Sequence, residues 1–276
     1  MKVVVNIARI LVGLLFIFSG LVKANDPLGL SYKMQEFFEI WHLTKFDSWT
    51  LALSVGMNAF EIIAGVALLL GVRIRIFIWL LLLLIVFFTF LTLYSAVTGK
   101  VTDCGCFGDA LHLTPWESFT KDVILLVLIL VIFINKKYIK KIFKKPVINI
   151  IVASSLVLCA FLAYHVLTHL PVIDFRAYKV GTVIREGMAI PEGAPKSEYA
   201  ITFVYKVNGV EKEFTDKELD KIPGDAEFVD RKEVVVKEGY VPPIHDFVLD
   251  FNGEDMTEAI LNEPKVVLVI SYFLEK

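Results

Sequence analysis

Cys104 and Cys106 stand one residue apart in Asp103-Cys104-Gly105-Cys106-Phe107-Gly108-Asp109, a short polar stretch between two long apolar runs. Two thiols at that spacing can close into a small strained ring, and Gly105 removes the side chain that would most hinder closure. Strained disulfides are more oxidising and exchange readily, which makes the pair a candidate redox couple. Attack requires thiolate, so neighbouring charge matters. Asp103 and Asp109 disfavour thiolate, whereas Lys100, Lys121 and the start of the following helix favour it. The same two residues also fit a static disulfide bracing a loop, or two metal ligands without their partners, and residue types alone leave these alternatives open.

Other chemistry-bearing residues lie inside apolar runs. Arg9 and Glu61 are charges in segments that read as membrane helices, where ionisable groups are costly and face the bundle interior in pairs. At 1.5 Å per residue, Arg9 falls about 10 Å and Glu61 about 15 Å from the same membrane face, so an Arg9–Glu61 ion pair is expected, with Asn58 one turn away. A proton path is the sharper alternative. Lys121 and Asp122 lie in the opening turns of a helix that follows the cysteines and can point back toward them or snorkel to the interface. His165 and His169 have the i, i+4 spacing of metal ligands, yet no third ligand accompanies them, so no metal site is expected. Cys159 reads as a small apolar filler.

The elements that must position these residues are long and apolar. The chain has 276 residues, 56% of them hydrophobic. Five segments approach the roughly 20 residues a bilayer crossing needs: 3–22, 50–72, 74–97, 115–134 and 147–170. The first reads as an uncleaved helix, because it carries Arg9 and lacks a small-residue cleavage site. Thr114-Pro115-Trp116-Glu117 is a capping box that starts the fourth segment, with Trp116 at headgroup level.

The net charge of −2 hides a split: fifteen Lys/Arg against nine Asp/Glu up to residue 170, and thirteen against twenty-one beyond it. Neither Arg-rich runs nor basic–aromatic patches occur, so no nucleic-acid partner is expected. Lys136, Lys137, Lys140, Lys141, Lys144 and Lys145 make the densest positive cluster, which places that linker in the cytoplasm. The N-terminus is then cytoplasmic, while the cysteine loop and everything after Pro171 face the other side.

Beyond residue 171 the pattern turns to short strands. Runs at 200–207 and 210–215 flank Asn208-Gly209, a two-residue hairpin signal, and 228–237 reads as a further strand. Residues 246–251, a turn at Asn252-Gly253, a helical stretch at 257–262 and the apolar run 266–273 give a β-turn-α-β order. Its last piece reads as a buried parallel strand. The fold class is therefore mainly α: a four-helix transmembrane bundle, a fifth transmembrane helix and a small extracytoplasmic α+β segment. The expected divisions are 1–140, 141–170, 171–245 and 246–276.

The first helix, from Arg9 through Gly13, Phe16, Ser19 and Gly20 to Lys23, resembles that of the DoxX family, as do Glu61 and Gly65 in the second. The stretch from Asp103 to Asp109, continuing through Leu113-Thr114-Pro115-Trp116 to Lys121-Asp122, is similar to the MauE-like branch. The resemblance spans about residues 1–140. It implies a bacterial inner-membrane protein with a four-helix core, passing reducing equivalents to extracytoplasmic protein thiols or disulfides. It also admits quinone as a cofactor and a role in maturing disulfide-containing partners. Vitamin K epoxide reductase-like enzymes share the architecture but use Cys-x-x-Cys and a second cysteine pair, both missing here. The order of elements in 246–276 is similar to the entry of a thioredoxin-like domain, expected as a partial, truncated β-α-β without its cysteines. The competing class is a non-enzymatic membrane scaffold or assembly factor with a structural disulfide.

Overall fold

The computed structural model describes residues 1–101, 105, 107–111, 113–196, 198–207, 210–215, 222–223, 226–237 and 239–269. They form two compact units, Met1–Arg176 and Ala177–Lys276.

The first unit is helical because its apolar runs cannot leave backbone groups unpaired in lipid, and a helix satisfies them within one segment. Helix α1 (Lys2–Asn25) runs three residues beyond its expected end. Helix α2 (Pro27–Ile40) lies in what reads from sequence as a connecting loop; Asp26 caps it by accepting the Gly29 N–H at 3.1 Å, with Pro27 in the first turn. A 3-10 turn at Thr44–Trp49 leads into α3 (Thr50–Leu70), which stops at Gly71, φ +71°. Helix α4 (Ile74–Thr98) follows at once and stops at Gly99. Helix α5 (Pro115–Ile134) opens with the expected capping box: Thr114 Oγ1 accepts the Glu117 N–H, and Glu117 accepts the Thr114 N–H at 2.9 Å. Helix α6 (Lys145–Thr168) completes the unit.

Four segments are long and apolar enough to cross a membrane: α1, Thr44–Leu70, α4 and α6. Helix α5 forms over the expected residues but carries Glu117, Lys121 and Asp122 in its first eight positions, and it is not among those four. Four of the five expected crossings thus meet the length and composition of a membrane span. The chain is a multi-pass membrane protein whose outward Leu83, Val97, Ile150 and Val157 meet lipid.

The core joins α1, α3, α4 and α5 through Val12, Phe16, Leu68, Leu81, Ile85, Leu125 and Ile129. Helix α6 stands beside it, with Cys159 against Ala24 and Ile62. Small residues let α1 and α3 approach closely. A Cβ at Gly65 would lie 2.7 Å from the Gly13 carbonyl oxygen, and one at Gly20 would lie 2.7 Å from Ile62. This fixes an antiparallel register with Gly13 beside Gly65 and Gly20 beside Asn58 and Ile62.

Two ends of the unit are tied. At one, the segment after α6 is clasped by Asn25, which donates to the Ile173 carbonyl at 2.6 Å and accepts its N–H at 3.1 Å. Ala110, from the turn after the cysteines, lines the same small cavity as Asn25 and Ile173. At the other, the Ile142 N–H donates to the Leu70 carbonyl, holding the lysine-rich linker against the end of α3.

In the second unit, β1 (Glu198–Val207) lies between β2 (Val210–Thr215) and β3 (Glu227–Lys237), all antiparallel. Val207 pairs with Val210, the spacing of the hairpin expected at Asn208-Gly209. Tyr205 packs edge-on against Phe214 and Phe228. Helix α7 (Ile184–Met188) precedes the sheet. Tyr178 donates its hydroxyl to Asp246 at 2.9 Å, and burial with that carboxylate pushes the phenol up to about 12.

The tail departs from its expected order. Among the described residues only β4 (Asp250–Phe251) and β5 (Glu254–Asp255) pair there, antiparallel across Asn252 and Gly253, both left-handed, before α8 (Thr257–Leu261). Residues 266–269 are not a strand, and Val267 and Val269 are exposed; 270–273 lie outside the described residues. A buried parallel strand needs flanking strands to accept its ladder, and among the described residues none stands there.

Gly65→Ala should force α1 from α3 and cost about 1–3 kcal/mol, read as thermal unfolding in detergent by circular dichroism. Gly56→Ala, in a helix with nothing within 4 Å of the new methyl, should be neutral or stabilising.

Candidate functional site

The α1–α3 approach brings three polar side chains together inside the bundle. Glu61, on α3, is 1% exposed and forms an ion pair through Oε1 with the Lys23 ammonium, itself 3% exposed. Ser19, one turn before Lys23 on α1, donates its hydroxyl to Glu61 Oε2 at 3.2 Å. The Lys23 ammonium also lies 5.2 Å from the centre of the Phe88 ring on α4. Such a pair is enclosed where its desolvation is least repaid, so it needs these additional contacts.

This geometry corrects the expected partner of Glu61. Arg9 sits near the opposite end of α1, where Nη1 donates to the Lys140 carbonyl at 3.4 Å. With Gly13 beside Gly65, about eight residues of α1 separate Arg9 from the level of Glu61, about 12 Å of helix rise. Each side chain instead reaches a partner at its own level. Asn58 does not join the pair either. It is 1% exposed, its amide atoms have no hydrogen-bond partner among the described residues, and it shares a cavity of about 10 Å³ with Cys159.

A second ion pair faces the first. Asp122 of α5, 1% exposed, accepts from the Lys121 ammonium at 2.8 Å through Oδ1 and from the Thr92 hydroxyl at 3.1 Å through Oδ2. Thr92 is on α4, one turn beyond Phe88. A cavity of about 40 Å³ lies between the pairs, lined by Ser19, Lys23 and Glu61 on one side and by Phe107, Lys121 and Asp122 on the other. An apolar void of about 150 Å³ holds benzene, so this one admits water and excludes a quinone ring.

The cysteine loop reaches this cavity through its described residues. Asp103, Cys104 and Cys106 lie outside them, as does the Asp109 side chain; the Asp109 backbone is in a 3-10 turn, Gly108–Ala110. Gly105, between the cysteines, is buried at φ +62°, and a Cβ there would meet Lys33 of α2 at 3.2 Å. A side chain at 105 would thus be strained in backbone and in space. Phe107, directly after Cys106, is 8% exposed, 5.9 Å from the Phe18 ring and 5.1 Å from the Lys121 ammonium.

Lys121 and Asp122 therefore come together beneath Phe107, and Glu61 joins them across the cavity. Sequence reasoning gave Lys23 no role: it ended the first apolar segment at residue 22 and quoted Lys23 as the last residue of a family resemblance. Its i, i+4 spacing from Ser19 was the available signal. His165 and His169 stack their rings at 4.8 Å on α6, and no metal-binding group occurs among the described residues.

Residues 1–135 match the family model described as methylamine utilisation protein MauE. This part of the chain is MauE-like. The match takes in α1 to α5, both ion pairs and the cysteine loop. Residues 199–238, which include the sheet β2-β1-β3, match a model described as a domain of unknown function, DUF8463. Neither a curated protein nor a solved structure matches the chain.

Glu61→Ala in the MauE-like unit should cost about 3–5 kcal/mol by leaving Lys23 buried without its partner. Exchanging the charges, Lys23→Glu with Glu61→Lys, should recover part of that loss in the same detergent unfolding assay. Exchanging Arg9 with Glu61 should recover none.

Proposed function

We propose that this protein passes reducing equivalents through Cys104 and Cys106 to disulfides of extracytoplasmic proteins, serving their maturation as a bacterial inner-membrane component. The observation that supports this reading is the buried charge cavity lined by Phe107, Lys121 and Asp122, Phe107 being the residue that directly follows Cys106 in sequence. A loop serving only as a brace gains little from ionisable groups enclosed at such desolvation cost. The first-helix residues shared with the DoxX group and the cysteine stretch shared with MauE-like proteins point the same way. The name methylamine utilisation protein MauE belongs to the matched family. Carried to this chain, it suggests a part in methylamine utilisation.

In this reading α5 joins the bilayer as a fifth span, with its charged first turns at the surface. The linker bearing Lys136 to Lys145 is cytoplasmic, and the cysteine loop and residues 171–276 are periplasmic. Quinone, where it takes part, approaches from the lipid, since the internal cavity is too small for its ring.

Trapping thiols with a membrane-impermeant alkylating reagent tests the proposal. The Cys104/Cys106 pair should label in cells and shift between bonded and free forms when respiration is blocked. Full protection of one fixed form under all conditions leaves only the structural disulfide of a scaffold.

A further inference from the structure

We propose that Arg9 and the lysine-rich linker form a binding site for the phosphate of an anionic phospholipid headgroup, at the end of the membrane unit where α1 begins. The site is separate from the cysteine loop and stands or falls without it. Arg9 is only 8% exposed, yet among the described residues it makes a single hydrogen bond, to the Lys140 carbonyl at 3.4 Å, and its Nε has no partner. A guanidinium carries five donors and a full charge. No ion pair among the described residues includes Arg9, and a buried charge without a counter-charge is costly.

The packing shows which segments meet around this cation. Gly13 beside Gly65 sets Arg9 level with residue 69, close to the end of α3. The linker arrives at the same place: the Ile142 N–H donates to the Leu70 carbonyl, and a Cβ at Gly71 would lie 2.6 Å from the Lys140 carbonyl oxygen. Residues 1–25, 62–102 and 123–173, which build this end, contain no Asp or Glu. They bring instead Lys2, Arg9, Arg73 and Arg75 together with the six lysines between 136 and 145. Carbonyl oxygens at the end of α3 offer only the partial charge of a helix terminus. The segments around Arg9 thus supply it with no counter-ion.

The surroundings select a lipid over a free anion. Ile7, Ile10 and Leu11 flank Arg9 on α1 and are exposed, as are Ile142 and Phe143 between the lysines. Side chains of this kind lie among acyl chains, so the anion that reaches the guanidinium carries acyl chains of its own. The division of labour follows from the two cation types. A planar guanidinium grips phosphate oxygens through parallel N–H bonds, whereas an ammonium acts as a point charge. Arg9 therefore fixes the headgroup, and the exposed Lys140 and Lys141 gather it, each strengthening attraction about five-fold.

The test uses the delipidated full chain in a neutral detergent, titrated with phosphatidylglycerol, phosphatidylcholine or inorganic phosphate while thermal unfolding is followed by circular dichroism. Phosphatidylglycerol should raise the melting temperature saturably, by about 5 °C at a hundred-fold excess over its apparent dissociation constant. The other two should not. Arg9→Gln should abolish the saturable rise, whatever its melting temperature in detergent alone; a purely structural Arg9 predicts a lower starting value with the lipid response intact. Should Arg9→Gln not fold, Lys140→Gln with Lys141→Gln decides, because both side chains are exposed and their loss should weaken the apparent affinity about ten-fold or more. An equal rise with phosphatidylcholine or no rise with phosphatidylglycerol overturns the site, as does a lipid response that survives Arg9→Gln or an unweakened lysine variant. An equal rise with inorganic phosphate overturns the lipid as its occupant in favour of a free anion.

Discussion

The fit of α1 against α3 governs the membrane unit. Gly13, Gly20 and Gly65 let the two backbones touch, and that contact sets which side chains share a level. Because lipid offers no hydrophobic drive between helices, close packing and internal polar contacts must hold them together. Lys23, Ser19 and Glu61 supply the polar part at one end of the seam, and Arg9 with the Lys140 carbonyl supplies it at the other. Each charge is tolerated in the interior because the glycines bring a partner within reach.

From this seam the rest is arranged in layers. Helices α4 and α5 close over α1 with a wholly aliphatic and aromatic core below the level of Glu61, and above it the packing gives way to Thr92, Asp122 and the cavity. Phe107 lies over that opening between Phe18 and Lys121. Phe107 and the two ion pairs thus occupy one end of the unit, the end where Asn25 also clasps the chain leaving α6. The lysine-rich linker stands at the other.

Length and apolar character made the long helices legible, and the capping box at Thr114 placed the start of α5 correctly because its chemistry is local. Asn208-Gly209 likewise announced the β1–β2 pairing. What failed needed information from a distance. The partner of Glu61 depends on the register of two helices, which small residues set and which counting from the membrane face does not recover. Lys23 was lost through an end-point three residues short, and α2 through overlooking Asp26-Pro27 as a helix start. The apolar run after Pro264 carries strand propensity, but propensity does not provide neighbours.

The connection between α3 and α4 has a wider implication. Gly71 and Arg73 both take left-handed backbone, so two long helices are joined by a link with no slack. One inserted residue in either helix would turn its remainder by about 100° at 3.6 residues per turn, sending Glu61 or Thr92 toward lipid. The α3–α4 hairpin therefore behaves as a block of fixed length, in which an insertion re-aims the buried polar side chains.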